Sequence, residues 1–226
     1  MALALKSLLR DPKLRSGVKA LVLVLSFFFF PLWMTGILAS LLYFFPASFI
    51  GDFFGTLLGL GFVTFSLIGH VPLWAVALVS SAVFFMLLGV KNVYLPKRAV
   101  VFSVISGIIF AALAFGVFAH LISLPLFAIV VFLIVREGLR SFTTLSQRAN
   151  PSAAVISLVL TEVAWVIGWL GISAVSSAII EIIFAASAGS LIYRHLRGEI
   201  TDRKALFWSS ALAVIGVSLM LLAAFK

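Results

Sequence analysis

Cysteine is absent, which removes disulfides, iron–sulfur clusters, covalently attached c-type haem and thiolate nucleophiles together. Acid is scarce as well: seven Asp and Glu stand against sixteen Lys and Arg, and charged residues of both signs make up only 10% of the 226 residues. Long polar stretches are missing, so no part of the chain can fold as a soluble domain, and loops of about four to fifteen residues leave little material for a soluble active site. There is no G-x-S-x-G, no H-E-x-x-H and no Walker-type loop. Every Lys lies at the edge of an apolar run, which excludes a retinal Schiff base. No cofactor is expected.

What fills the chain instead is apolar: 64% hydrophobic residues, including 23 Phe, and a mean hydropathy of +1.29. That composition predicts an all-α fold, a polytopic transmembrane helix bundle of about eight apolar helical segments with seven or eight full crossings. The net charge of +9 comes from basic clusters beside the apolar runs, a pattern that points to anionic lipid headgroups rather than to nucleic acid. Residues 1–19 carry Lys6, Arg10, Lys13, Arg15 and Lys19 against Asp11, with Leu3, Leu5, Leu8 and Leu9 interleaved, as in a cytosolic helix lying on a membrane surface. Pro12 is expected to end that helix. The run that follows is about twice the length of a signal-peptide core, so it reads as an uncleaved first segment. Residues 20–226 then form a single transmembrane domain.

Apolar segments fall at about 20–45, 53–69, 72–90, 99–119, 122–136, 152–171, 174–193 and 205–225. Pro31 interrupts the first, and the fifth is short enough that its helix is expected to run on past Arg136. Basic loops at Lys91–Arg98, Arg136–Arg148 and Arg194–Lys204 alternate with nearly uncharged turns, which places those three loops in the cytoplasm. The basic N-terminus belongs on the same side, yet three apolar segments precede Lys91, and three crossings would put it on the other. Either one early segment is re-entrant, with the Pro31-split first run and the Gly-rich second run as candidates, or the N-terminus is outside. The first alternative leaves seven crossings and fifteen of the sixteen basic residues inside, and is preferred.

Helix contacts are expected along two small-residue series, Gly51, Gly55 and Gly59, and Ser103, Gly107 and Ala111. Such stripes serve packing within the bundle, a second copy of the chain or a membrane-protein partner. The sharpest chemical signal is a pair of acids inside apolar runs. Glu162 and Glu181 lie at similar depth in the hairpin of the sixth and seventh segments, near the midplane, and are expected to face one another. Trp165 and Trp169 share the face of Glu162; Ala174, Ser177, Ala178, Ala185 and Ala188 share that of Glu181. With no basic residue at that depth, each carboxyl is least costly as the neutral acid, with Thr161 and Ser177 as candidate hydrogen-bond partners. Asp52, ahead of the Gly-rich segment, is a helix cap or a cavity-lining acid. His70 and His120 are weak metal candidates at segment ends, where interfacial or capping roles are the expectation; no other metal ligands accompany them.

Three function classes follow. The first is a non-catalytic membrane subunit or scaffold, consistent with the small-residue stripes and minimal loops. The second is a small proton- or cation-linked transporter or channel that uses Glu162 and Glu181. The third, a membrane-embedded lipid-modifying enzyme, lacks a polar constellation at headgroup level. The expected home is a prokaryotic cytoplasmic membrane.

Overall fold

The computed structural model describes residues 11–45, 53–92, 95–142 and 149–196. The expected surface segment up to residue 10, Gly51, Asp52 and the last apolar run, 205–225, lie outside them. Among the described residues the protein is all-helical, with eight helices: α1 (Pro12–Phe29), α2 (Leu32–Phe44), α3 (Phe54–Leu67), α4 (Leu73–Lys91), α5 (Arg98–Phe118), α6 (Leu124–Phe142), α7 (Ala149–Trp169) and α8 (Ala174–Leu196). Three of them, α4, α5 and α7, are long and apolar enough to cross a membrane, which supports membrane insertion. α2, α3 and residues 174–187 of α8 are apolar but shorter. The chain divides into two compact units, with the division inside α5 between Ile109 and Phe110.

In the first unit, Pro12 opens a helix, and whether it also ends the expected surface helix lies outside the described residues. Asp11 caps α1 by accepting a hydrogen bond from the Lys13 amide at 2.9 Å, and Pro12, which has no N–H to satisfy, stands in the first turn. The break comes at Phe30–Pro31. Proline forces the residue before it out of the helical region, and Phe30 is extended at φ −121°, ψ 153°. The run expected at 20–45 is therefore two helices, and they fold back on one another. The Lys19 ammonium donates to the carbonyls of Leu42 and Phe45, and the Thr35 hydroxyl donates to the Ser26 carbonyl at 3.2 Å. Lys19 with Leu42, and Ser26 with Thr35, are each equidistant from the break, the mark of an antiparallel helical hairpin. From Lys19 to the tip is about 17 Å at 1.5 Å per residue, roughly half of a hydrocarbon core.

The C-terminal end of α2 is where this unit comes together. A helix end leaves four carbonyls without partners and carries partial negative charge. Here Lys91, the last residue of α4 and itself buried, donates to the Tyr43 carbonyl at 2.8 Å while its ammonium stands 4.0 Å from the centre of the Tyr43 ring. The start of α3 is close by, with the Phe44 and Phe54 rings 5.8 Å apart. Further along, α3 and α4 run as a second hairpin tied by Thr64 and Ser80, whose hydroxyls are 2.8 Å apart. Phe84, Leu87 and Leu88 of α4 are completely buried, so α4 is the packing centre of the unit, with α1 and α3 laid against it.

In the second unit, α6 packs a ridge of Phe127, Val130, Val131 and Ile134 against α7. The facing stripe of α7 is Ala153, Ser157, Leu160, Ala164 and Ile167, at helical spacing and with small residues at three of its five positions. α6 does run past Arg136, to Phe142, and the Arg136 guanidinium Nε donates to the Asn150 amide oxygen of α7 at 2.8 Å.

Two outcomes test the clamp on α2. Lys91→Met should lower stability by about 2 kcal/mol, the worth of a charge-assisted hydrogen bond, read as an earlier midpoint in a mixed-micelle denaturation. Lys19, just ahead of the apolar run, is lowered to about 8, first by desolvation and then by repulsion from Arg15 and Lys91. Between pH 8 and the unfolded value of 10.5 the unfolded chain binds more protons than the folded one at this group, so its contribution to stability rises with pH in that window. Lys19→Met should flatten that rise in midpoints measured from pH 7.5 to 10.5.

Candidate functional site

The candidate site lies in the second unit and starts from two turns. α5 ends in a Schellman arrangement: the Leu121 amide donates to the Gly116 carbonyl at 2.8 Å, the His120 amide to the Val117 carbonyl at 3.0 Å, and His120 takes the left-handed conformation at φ 59°. Gly116 lets Ile122 pack close to the helix, since a Cβ on it would lie 2.6 Å from the tip of the Ile122 side chain and would make that side chain shift. The second turn, between α7 and α8, passes through Gly171 at φ 64°. Ser173 then starts α8, its hydroxyl accepting from the Ser176 amide at 3.2 Å and its carbonyl from the Ser177 amide at 2.9 Å. These turns bound a cavity of about 750 Å³, lined among others by His120, Ser123, Trp165, Gly168, Trp169 and Ser177.

Ser177 opens the inward face of α8, which continues through Ala178 to Glu181. Glu181 is completely buried, and neither carboxyl oxygen has a hydrogen-bond partner among the described residues. It lies one helical turn beyond Ser177, about 6 Å further along the axis from the cavity wall. An unmet buried carboxyl is among the costliest groups a helix bundle can hold, and native structures keep few of them.

Glu162 is placed differently from the expectation that the two acids face each other. It is exposed, in the middle of an outward stripe of α7 formed with Val155, Leu158, Val159, Trp165, Val166 and Trp169. The reason is the packing of α7. Its small-residue stripe is turned inward, and Glu162, two residues from both Leu160 and Ala164, falls on the opposite side of the helix. Trp165 and Trp169 meet edge to face with ring centres 5.9 Å apart and line the cavity on that side. Thr161 does not serve either acid: its hydroxyl donates to the Ser157 carbonyl at 2.7 Å.

Of the other expected residues, Gly55 and Gly59 are buried, whereas Ser103 and Gly107 are exposed on α5, with open space around Gly107, and Ala111 is half-buried. The buried stripe of α5 is instead Phe102, Ile105, Ile109 and Leu113. His70 is exposed beside the turn between α3 and α4, and the described residues contain no group of three or more potential metal ligands. Sequence reasoning missed the burial of Lys91; its signal was a lone Lys adjoining an otherwise unbroken apolar segment. Comparison of the chain with protein-family models, curated proteins and solved structures finds no match.

His120 occupies a backbone position that glycine fills at no cost. His120→Gly should raise stability by about 1 kcal/mol, read as a higher thermal midpoint in detergent; a lower midpoint would mean that the imidazole itself holds the turn.

Proposed function

We propose that this chain is a small integral membrane protein that binds and passes a proton or small cation, with Glu181 as the binding carboxyl. The observation that carries the reading is that Glu181 is completely buried, with no hydrogen-bond partner among the described residues, one helical turn beyond a cavity whose wall offers the hydroxyls of Ser123 and Ser177 and the imidazole of His120. A carboxyl at that depth takes up and releases a proton or a cation, and the cavity gives water a route to within a turn of it.

The topology that fits is seven crossings, with the basic N-terminus in the cytoplasm and the α1–α2 hairpin entering and leaving from that side. Support comes from the ammonium groups of Lys19 and Lys91 holding the same helix end, which brings the start of the first apolar run and the end of α4 to one level. The cytoplasmic membrane is the compartment that the basic loops favour. A second reading, a non-catalytic membrane subunit, draws on the outward stripe of α7, a continuous apolar face with Glu162 at its centre.

The full chain in proteoliposomes, with a pH gradient imposed and an entrapped pH-sensitive dye, separates the two. Wild type should dissipate the gradient at least tenfold faster than protein-free vesicles. Glu181→Gln should fall to the protein-free rate, and the exposed Glu162→Gln should stay within about twofold of wild type. Equal rates for wild type and Glu181→Gln would discard the transport reading in favour of the subunit.

A further inference from the structure

The first unit holds a cavity of about 230 Å³ between the α1–α2 hairpin and the α3–α4 pair, and its wall is chemically closed. Four hydroxyls line it, and each is already engaged. Thr35 donates to the Ser26 carbonyl, Ser40 to the Gly36 carbonyl at 3.0 Å, and Thr64 to the Leu60 carbonyl at 2.7 Å while pairing with Ser80. The rest of the wall is Leu, Phe, Ile, Ala and Gly. A water inside would find few partners, and apolar cavities of this kind stay dry or take up hydrocarbon.

The mouth shows where hydrocarbon comes from. Phe62 and Phe65 line the cavity and are also 39% and 48% exposed, on the outer surface of α3. Near the tip of the α1–α2 hairpin, Phe29, Phe30 and Trp33 are exposed as well. Phe62 and Phe65 thus connect the cavity wall to the apolar outer surface of the unit, where the surrounding medium is lipid tails. Between the two walls Gly61 leaves a notch: a Cβ there would meet nothing within 4 Å, and one on Gly36 would touch the Phe65 ring at 3.6 Å. Scaling from benzene, whose six carbons occupy an engineered cavity of about 150 Å³, the space takes about nine carbons, a segment of chain rather than a whole lipid.

We propose that this cavity is a binding site for one acyl chain of a membrane phospholipid, which enters past Phe62 and Phe65 and fills the space between the re-entrant hairpin and α3. The proposal does not depend on the transport reading, since it concerns the other unit and involves no ionisable group.

The test uses the full chain in phosphatidylcholine–phosphatidylglycerol vesicles doped with a phospholipid bearing a diazirine partway along one acyl chain. After photolysis, peptides are mapped by mass spectrometry. Adducts should concentrate in residues 32–40 and 57–68 at several times the level on the outward face of α7, and Gly61→Phe, which fills the notch, should reduce them at least fivefold while leaving the α7 adducts unchanged. Gly61→Leu is the smaller filling variant and should give a partial loss should the Phe variant fail to fold. Labelling of residues 32–40 and 57–68 no stronger than that of α7, or unaltered by a folded Gly61 variant, would overturn the proposal. Labelling by a diazirine-bearing free hydrocarbon but not by the phospholipid would also overturn it, and would make the cavity a site for small apolar solutes.

Discussion

The arrangement of the first unit rests on how the carbonyls at the end of α2 are satisfied. In water such a helix end is hydrated; between packed helices it is not, and each unmet carbonyl is costly. Lys19 comes from eleven residues before the Pro31 break and Lys91 from the far end of the next hairpin, and their ammonium groups meet three carbonyls of one helix end. This accounts for a puzzling feature of the composition. The first hundred residues carry eight cations and two acids, Asp11 and Asp52, so cations far outnumber carboxylates in this stretch. Lys19 and Lys91 both donate to the partly negative end of a helix, and at Lys91 the face of the Tyr43 ring adds to the attraction. The arrangement costs Lys19 part of its basicity, first because burial desolvates its ammonium and then because Arg15 and Lys91 repel it.

Much of the architecture was legible in the sequence where length and punctuation decided it. The segments expected at 53–69, 72–90, 99–119, 152–171 and 174–193 match α3, α4, α5, α7 and α8 to within about three residues at each end, because Gly, Pro and basic clusters end apolar helices for local reasons. The conflict between the basic N-terminus and three apolar runs before Lys91 was visible too. What was not legible was that the first run reverses at Pro31, since a proline in an apolar helix gives either a kink or a reversal. The reversal depends on Lys19 finding the end of α2, which is a contact between residues more than twenty positions apart.

The acids show the other limit. Depth follows from counting residues, so both Glu162 and Glu181 could be placed inside apolar segments. Facing does not follow, because α7 carries two faces that can pack: the Trp165–Trp169 ridge and the stripe of Ala153, Ser157 and Ala164. Small residues on α8 made the Trp ridge look like its complement. Close backbone approach favours the small stripe, which lets α6 press Phe127, Val130 and Val131 into α7 and leaves the Trp ridge and Glu162 outside. The burial of Glu181 follows from α8 itself, where Ser177, Ala178 and Glu181 share the inward side.

The two units therefore handle polarity in opposite ways. Around the cavity of the first, each wall hydroxyl is spent on a carbonyl or on another hydroxyl, so nothing there asks for a polar guest. In the second, a serine-started helix carries a carboxyl into the interior and gives it no hydrogen-bond partner among the described residues, although a Leu of similar volume would pack there without that demand. Apolar replacement of a buried polar group is commonly neutral or stabilising, so packing alone does not call for a carboxyl here. Under the function proposed above, the missing partner of the carboxyl is transient, a proton or cation arriving by way of the cavity beside Ser177. The unmet hydrogen bonds of Glu181 are then the affinity of the site in its empty state, and the exposed Glu162, outside that interior, has no equivalent claim.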